Sequence, residues 1–248
     1  MTVAMPYQPT DAMSLWWLGT PEVPRLIGRL EFISTLRGVG LRYGADWLRH
    51  GFALSEDLPL RDQMFLPIAK DSAVGAVDDA RPDRWGERMI RTFDRPVRLS
   101  LMEYLYFAGD DRFGALGVSL SDHSYAPHMT GPLPQLPDLG SIEDSIAQIF
   151  SGAPVNDQWI RLIKPGASMG GARPKALIEL SGAEWVLKFR EEGESTDTPL
   201  IEHATMTLAR RCGINVAETK ALPLRKGHAI AVRRFDRFAD KRIHSLSA

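Results

Sequence analysis

Apolar and polar positions alternate most regularly between Trp185 and Phe189, where Trp185, Leu187 and Phe189 fall on one side of an extended chain and Val186 and Lys188 on the other. A second short apolar run precedes it and joins it at Ser181-Gly182, a turn-forming dipeptide. Upstream, Ser14–Leu18 and Arg25–Phe32 read as strands around a Gly-Thr-Pro-Glu-Val-Pro turn, and Leu41–Leu48 carries aromatics at intervals. Phe52–Leu60 reads as a strand ending at a proline, and Val118–Leu120 as another. Helical spacing appears elsewhere. Asp83 is placed to cap a helix running to about Phe93, and Leu101, Tyr104, Leu105 and Ala108 give Ser100–Ala108 one buried face. Ser141, with Asp144 three residues on, predicts a capping box for a helix whose apolar side is Ile142, Ile146, Ile149 and Phe150 and which Gly152 ends. Leu200–Cys212 is amphipathic, with Ile201, Ala204, Leu208 and Cys212 on one side and Gly213 as its stop; Cys212 is expected in the core. Ala217–Pro223 and His228–Arg233 read as strands flanking Lys226-Gly227.

The pattern changes over Ser121–Gly140, where four prolines and two histidines mark a semi-rigid linker. The chain therefore divides into a first unit over 13–122, a linker over 123–140 and a second unit over 141–248. The predicted class is α+β: a small mixed α/β amino-terminal unit, then an antiparallel sheet with a helix.

Composition narrows the partners. Thirty basic and thirty-one acidic residues leave a formal net charge of -1, which gives no global pull toward nucleic acid or an anionic membrane. A local basic patch at Arg233, Arg234 and Arg237 is compatible with that balance. The single cysteine, Cys212, excludes an intramolecular disulfide framework and a cysteine-based zinc site, and suits a reducing cytosol. No apolar run approaches the roughly twenty residues that span a bilayer, and the amino terminus lacks a basic n-region, so a cytoplasmic, membrane-free protein is expected.

Four features stand in the order of a kinase amino-terminal lobe. The loop Ser168-Met-Gly-Gly-Ala-Arg-Pro-Lys175 has glycines that let backbone N–H groups approach phosphate oxygens. Lys188 lies on a strand face opposite three large apolar side chains. Glu202, in the first turn of the Leu200–Cys212 helix, is the carboxylate to hold it, although a helix start favours an acid in any case. Ala231–Asp236, after an apolar strand, is the hinge. The plainer alternative is an ordinary hairpin with a solvated lysine. Neither GxxxxGK[ST] nor a GxGxxG opening a βαβ unit is present, and Ser168 has no Ser-His-Asp context. Asp122-His123 with His128 lies in a proline-rich loop ill suited to converging metal ligands.

These residues resemble the HipA family of bacterial serine/threonine kinases, the toxins of type II toxin–antitoxin modules. The likeness runs through Ser168–Ala176, Trp185–Phe189, Glu202, Arg234–Arg237 and Arg242–Ala248. Tyr43–Leu48, Leu58–Leu60, Pro82–Gly86 and Asp111–Leu116 are similar to that family's amino-terminal subdomain. The resemblance implies that Gly170, Gly171, Ala172, Arg173, Pro174, Lys175 and Lys188 contact ATP, that Glu202 pairs with the lysine, and that Arg233, Arg234 and Phe235 lie near the adenine. It places autophosphorylation at Ser168, where added negative charge would disfavour a closed phosphate loop. It implies a HipB-like helix-turn-helix antitoxin as partner, DNA only through that antitoxin, and a protein substrate such as an aminoacyl-tRNA synthetase. In the family the catalytic aspartate and the Mg²⁺ ligands belong to a helical carboxy-terminal lobe. After Phe235 the only carboxylates here are Asp236 and Asp240. The expectation is therefore the ATP-binding half of such a kinase, ending before the catalytic lobe, with Mg²⁺ bound only in that lobe's company. The alternative is a catalytically inactive antitoxin- or nucleotide-binding module.

Overall fold

The structure is a computed structural model that describes residues 7–127, 132–153 and 173–247. Two antiparallel sheets carry it, each formed where alternation or β-branched content favours extended chain. The first runs β4-β3-β2-β1-β5, from β1 (Ala12–Trp17), β2 (Arg25–Ile33), β3 (Gly38–Tyr43), β4 (Met64–Phe65) and β5 (Leu116–Ser119). Its inner face buries Leu15, Leu30 and Leu41 with Trp47 of helix α1 (Ala45–His50) and Leu105 of helix α4 (Leu101–Phe107). Helix α4 starts at a capping box, because the Ser100 hydroxyl and the Glu103 carboxylate satisfy each other's backbone N–H groups. Helix α2 (Gly75–Asp79) and helix α3 (Arg84–Met89) lie between, and α3 continues as one π turn over Ile90–Asp94.

The second sheet runs β6-β7-β9-β8, from β6 (Lys175–Leu180), β7 (Ala183–Lys188), β8 (Thr219–Pro223) and β9 (His228–Arg233). Strands β6 and β7 close on Ser181 and Gly182, both at positive φ (54° and 72°), the primed turn that matches strand twist. One face of this sheet carries Ala176, Ile178, Trp185, Leu187 and Phe189 and packs on Ile142, Ile146 and Ile149 of helix α5 (Leu139–Ser151). Helix α6 (Thr198–Arg211) crosses β8 and β9, and a short hairpin of β10 (Arg237–Phe238) and β11 (Lys241–Arg242) follows.

The line drawn at residue 122 cuts the chain but not the packing. Trp85 and Met89 of α3 sit inside the second core, and the Trp85 indole N–H donates to the Lys175 carbonyl at 3.0 Å. One helix of the first unit thus completes the core of the second.

Three expectations are corrected. Phe52–Leu60 is not a strand. The Tyr43 hydroxyl accepts from the Leu54 N–H and donates to the Leu58 carbonyl, so a side chain does there what a ladder would do. Ser141 does not cap α5, which begins two residues earlier; the capping box is Gln135 with Asp138, on the preceding 3₁₀ turn (Leu136–Asp138). The apolar side of α6 faces solvent. Ile201 is 53% and Leu208 62% exposed, and Cys212 is exposed rather than in the core. Helical periodicity reports an apolar stripe, not what covers it.

Replacing Trp85 by alanine is expected to destabilise the protein by about 3–5 kcal/mol. Because Trp85 belongs to a helix of the first unit and packs in the core of the second, urea unfolding followed by circular dichroism should show the loss as a lower midpoint for the whole molecule.

Candidate functional site

The pairing of the second sheet fixes which side chains share its other face. Lys175 lies opposite Lys188, Leu177 opposite Val186, and on β9 Ile230 and Val232 stand opposite Lys188 and Val186. This face therefore has two lysines at one end and an apolar floor toward the other. Helix α6 lies over β8 and β9, where the His203 imidazole and the Thr219 hydroxyl share a hydrogen bond of 2.8 Å. That docking brings Glu202 to the sheet. The Lys188 ammonium donates to the Glu202 carboxylate at 2.6 Å, with the two side chains 32% and 31% exposed. The sequence-predicted lysine and carboxylate are thus together, and water or a ligand can reach both.

The second lysine is in a different environment. Lys175 is 2% exposed, and its ammonium donates to the Asp83 carboxylate at 2.7 Å and to the Arg173 carbonyl at 2.9 Å. Burial pushes its pKa down, Asp83 opposes that, and Lys188 adds to it. Arg173 points outward and pairs with Glu194 at 2.8 Å. The carbonyl of Pro174 accepts from the Phe189 N–H at 3.0 Å, which continues the β6–β7 ladder by one step.

Toward the apolar end, Leu177 and Val186 are covered by Phe113 of the first unit and Leu133 of the linker. The Phe235 ring, exposed, stacks on Phe113 with centroids 5.8 Å apart and planes 19° apart. Arg233 extends into solvent near Glu218. Arg234 does the reverse. Its guanidinium is fully buried and donates to Asp236 at 2.7 and 3.0 Å, to Glu184 at 3.0 Å, and to the carbonyls of Asp111 and Arg112. Asp236 in turn accepts from the Gly114 N–H at 2.8 Å and from Arg237 at 2.7 Å, while Arg237 and Arg242 donate to the Asp110 carbonyl. Gly114 sits at φ +78°, a left-handed position that presents its N–H to Asp236 and favours glycine. The hinge arginine read from sequence is therefore a clasp between the two units, and of the three hinge residues Phe235 borders the sheet face through Phe113.

Ser168, Gly170, Gly171, Ala172 and His128 lie outside the described residues. Among the described residues no group of three or more His, Cys, Asp or Glu side chains could hold a metal ion, and no helix is long and apolar enough to cross a membrane. Sequence reasoning had not placed Phe113, Leu133 or the second role of Asp83 in the site. Asp83 was visible as a cap, but its pairing with Lys175, 92 positions away, had no local signal.

Two family models match. One, described as the HipA N-terminal domain, covers residues 24–119, and the other, the HipA-like C-terminal domain, covers residues 167–248. The chain belongs to the HipA family. No curated protein matches it. Among solved structures it is similar to HipA of Shewanella oneidensis MR-1, solved as a toxin–antitoxin system with HipB and its operator DNA, at 22% identity and a TM-score of 0.59. The match covers 94% of this chain and 54% of that one, so the chain spans about half the length of that HipA and shares its fold.

The clasp predicts a pH dependence. Burial alone would raise the Asp236 pKa, but hydrogen bonding and charge from Arg234, then Arg237 and the Gly114 N–H, hold it below the usual 3.8. A carboxylate lowered in the folded state stabilises fully above its unfolded value, and that contribution is lost as pH falls through the folded value. Asp236→Asn should cost about 3–5 kcal/mol at neutral pH. Thermal melts from pH 7 downward should show a shallower acid loss for the variant than for the parent chain.

Proposed function

We propose that this chain is the ATP-binding portion of a HipA-like serine/threonine protein kinase, the toxin of a toxin–antitoxin module. The observation that carries the reading is the Lys188–Glu202 pair of 2.6 Å on a half-exposed sheet face. In kinase-type sites a strand lysine held by a helix carboxylate orients the α- and β-phosphates. The pairing holds the ammonium extended along the sheet, so a phosphate meets an ordered cation and does not have to order one. The apolar floor of Leu177 and Val186, bordered by Phe113 and Phe235, suits the flat face of a purine next to that cation. These described residues fit ATP. Bound there, ATP supplies the transferable phosphoryl group; the chain's own residues bind the anion, seat the base and keep water from the floor.

Mg²⁺, which the family implies together with ATP, belongs in this reading to the helical lobe and to none of the described residues. The same holds for the base that would take the proton from a serine or threonine hydroxyl. The proposed partner is a helix-turn-helix antitoxin of the HipB type, with DNA contacted through it, and the proposed compartment is the cytoplasm. The Shewanella HipA, solved with HipB and operator DNA, supports that choice of partner. An aminoacyl-tRNA synthetase remains the proposed class of protein substrate, by family resemblance alone.

Isothermal titration with ATP tests the reading. The parent chain should bind, Lys188→Ala should lose binding by on the order of a hundredfold, and Glu202→Gln by about tenfold. Unaltered affinity in Lys188→Ala would mean that this face is not the phosphate site.

A further inference from the structure

We propose that the outer face of the first sheet holds a binding site for a small monocarboxylate with a short apolar body. Its carboxylate is set between Arg29 and Arg42 beside the Ser14 hydroxyl, and its carbon chain lies on Leu26 and Leu120. The site belongs to the first unit, and neither its residues nor its ligand enter the reading of the second sheet as an ATP site.

Strand register builds the anion end. Ser14 of β1 is the cross-strand partner of Arg29 on β2, and Arg29 is the partner of Arg42 on β3, so the three stand in one row on the face away from Leu15, Leu30 and Leu41. Like charges directly opposite each other on adjacent strands are unfavourable, and an anion between them removes the repulsion. The chain's own carboxylates reach the arginines singly. Glu31 lies 3.2 Å from the Arg29 Nε and Asp62 3.2 Å from the Arg42 guanidinium, with all four side chains exposed. A guanidinium has five N–H donors, so both arginines keep donors for a further acceptor. Ser14 points to a ligand independently. It is 6% exposed, and its hydroxyl makes no hydrogen bond among the described residues. Ser119, its partner on β5, shows the usual outcome at such a position: that hydroxyl accepts from the Trp16 indole N–H at 2.7 Å and donates to the Ser121 carbonyl at 2.6 Å.

The same face is hollowed. A cavity of about 360 Å³ opens over this row, and Ser14, Arg29 and Arg42 line it together with Leu26, Leu120 and Asp122. That volume lies at the lower end for small-molecule sites, which characteristically set a few convergent polar groups beside an apolar wall. Leu120 is 50% exposed, so a carbon chain laid on it removes apolar surface from water. Charge selects the ligand. Two guanidiniums against one carboxylate leave the lining with a net charge of +1, which a single carboxylate matches. A phosphate dianion exceeds that charge and is repelled by Asp122.

Hexanoate is the probe, titrated into the isotope-labelled full chain and followed by amide chemical shifts. Saturable shifts centred on residues 12–14, 26–29, 42–44 and 120–122 are expected, with a dissociation constant on the order of 1 mM. Arg29→Gln and Arg42→Gln should each weaken binding about tenfold, and Ser14→Ala about threefold. Arg42→Lys keeps the charge and loses the planar fork, so its affinity should fall between those of the parent and Arg42→Gln. Hexanol carries the chain without the charge and inorganic phosphate the charge without the chain; each should bind at least about tenfold more weakly than hexanoate. The site is overturned if hexanoate gives no saturable shift at roughly tenfold above the expected constant, if both arginine variants bind like the parent, or if hexanol binds as tightly as hexanoate. Phosphate binding tighter than hexanoate, or displacement of hexanoate by ATP, overturns the carboxylate assignment, because either result gives the arginines to a phosphate ligand. Should Ser14→Ala fail to fold, the exposed Arg42→Gln decides alone.

Discussion

Burying the Arg234 guanidinium against Asp236 is the constraint on which the arrangement of the two sheets depends. A fully buried arginine needs acceptors on every side, and this one takes them from its own unit (Asp236, Glu184) and from the other (the carbonyls of Asp111 and Arg112). A rotation of one sheet against the other would leave charged hydrogen bonds unmade in a dry seam, which is costly in a way that sliding of apolar surfaces is not. Arg112, also buried, meets the carbonyls of Ala80, Leu105 and Gly109, so the loop that supplies acceptors to Arg234 is itself held by an arginine. The seam is polar and tightly specified, and it sets where Phe113 falls over the floor of the second sheet.

Helix α3 makes the second connection, and its character differs. Trp85 and Met89 contribute apolar bulk to the second core, while Asp83 contributes a charge at its edge. Together the seam and α3 hold the second sheet at its two ends, Glu184–Arg234 on one side and Lys175 on the other. The face between them, with its half-exposed cation and apolar floor, is framed by residues from both units. The unit that supplies neither the lysine nor its carboxylate thus borders the face on which they meet.

Much of this was legible locally. The alternation from Trp185 to Phe189 and the turn at Ser181-Gly182 depend on neighbours one and two positions away, and the Asp83 cap and the isoleucine stripe of α5 on neighbours three and four positions away. The Lys188–Glu202 pair spans only fourteen positions, within one strand–loop–helix unit. What could not be read has long sequence separation or depends on which neighbour is present. The Arg234–Arg112 contact spans 122 positions, and the Tyr43 hydroxyl displaces a strand that the composition of Phe52–Leu60 favoured. Helix α6 shows the limit most clearly. Its apolar stripe was found correctly, and its orientation came out the other way because the polar side, with Glu202 and His203, has partners on the sheet.

That orientation has a kinetic meaning. A helix packed through its polar side, with Ile201 and Leu208 in water, has little apolar burial to hold it, and its anchors are Glu202, His203 and the capping Asp197. Such an element opens in local fluctuations more readily than the sheet beneath it. Each opening carries Glu202 away and leaves Lys188 free to swing. The order of the cation is then a property shared with whatever covers the apolar stripe: a surface on the far side of the helix, in contact with neither phosphate nor lysine, could stiffen the pair by closing down those excursions.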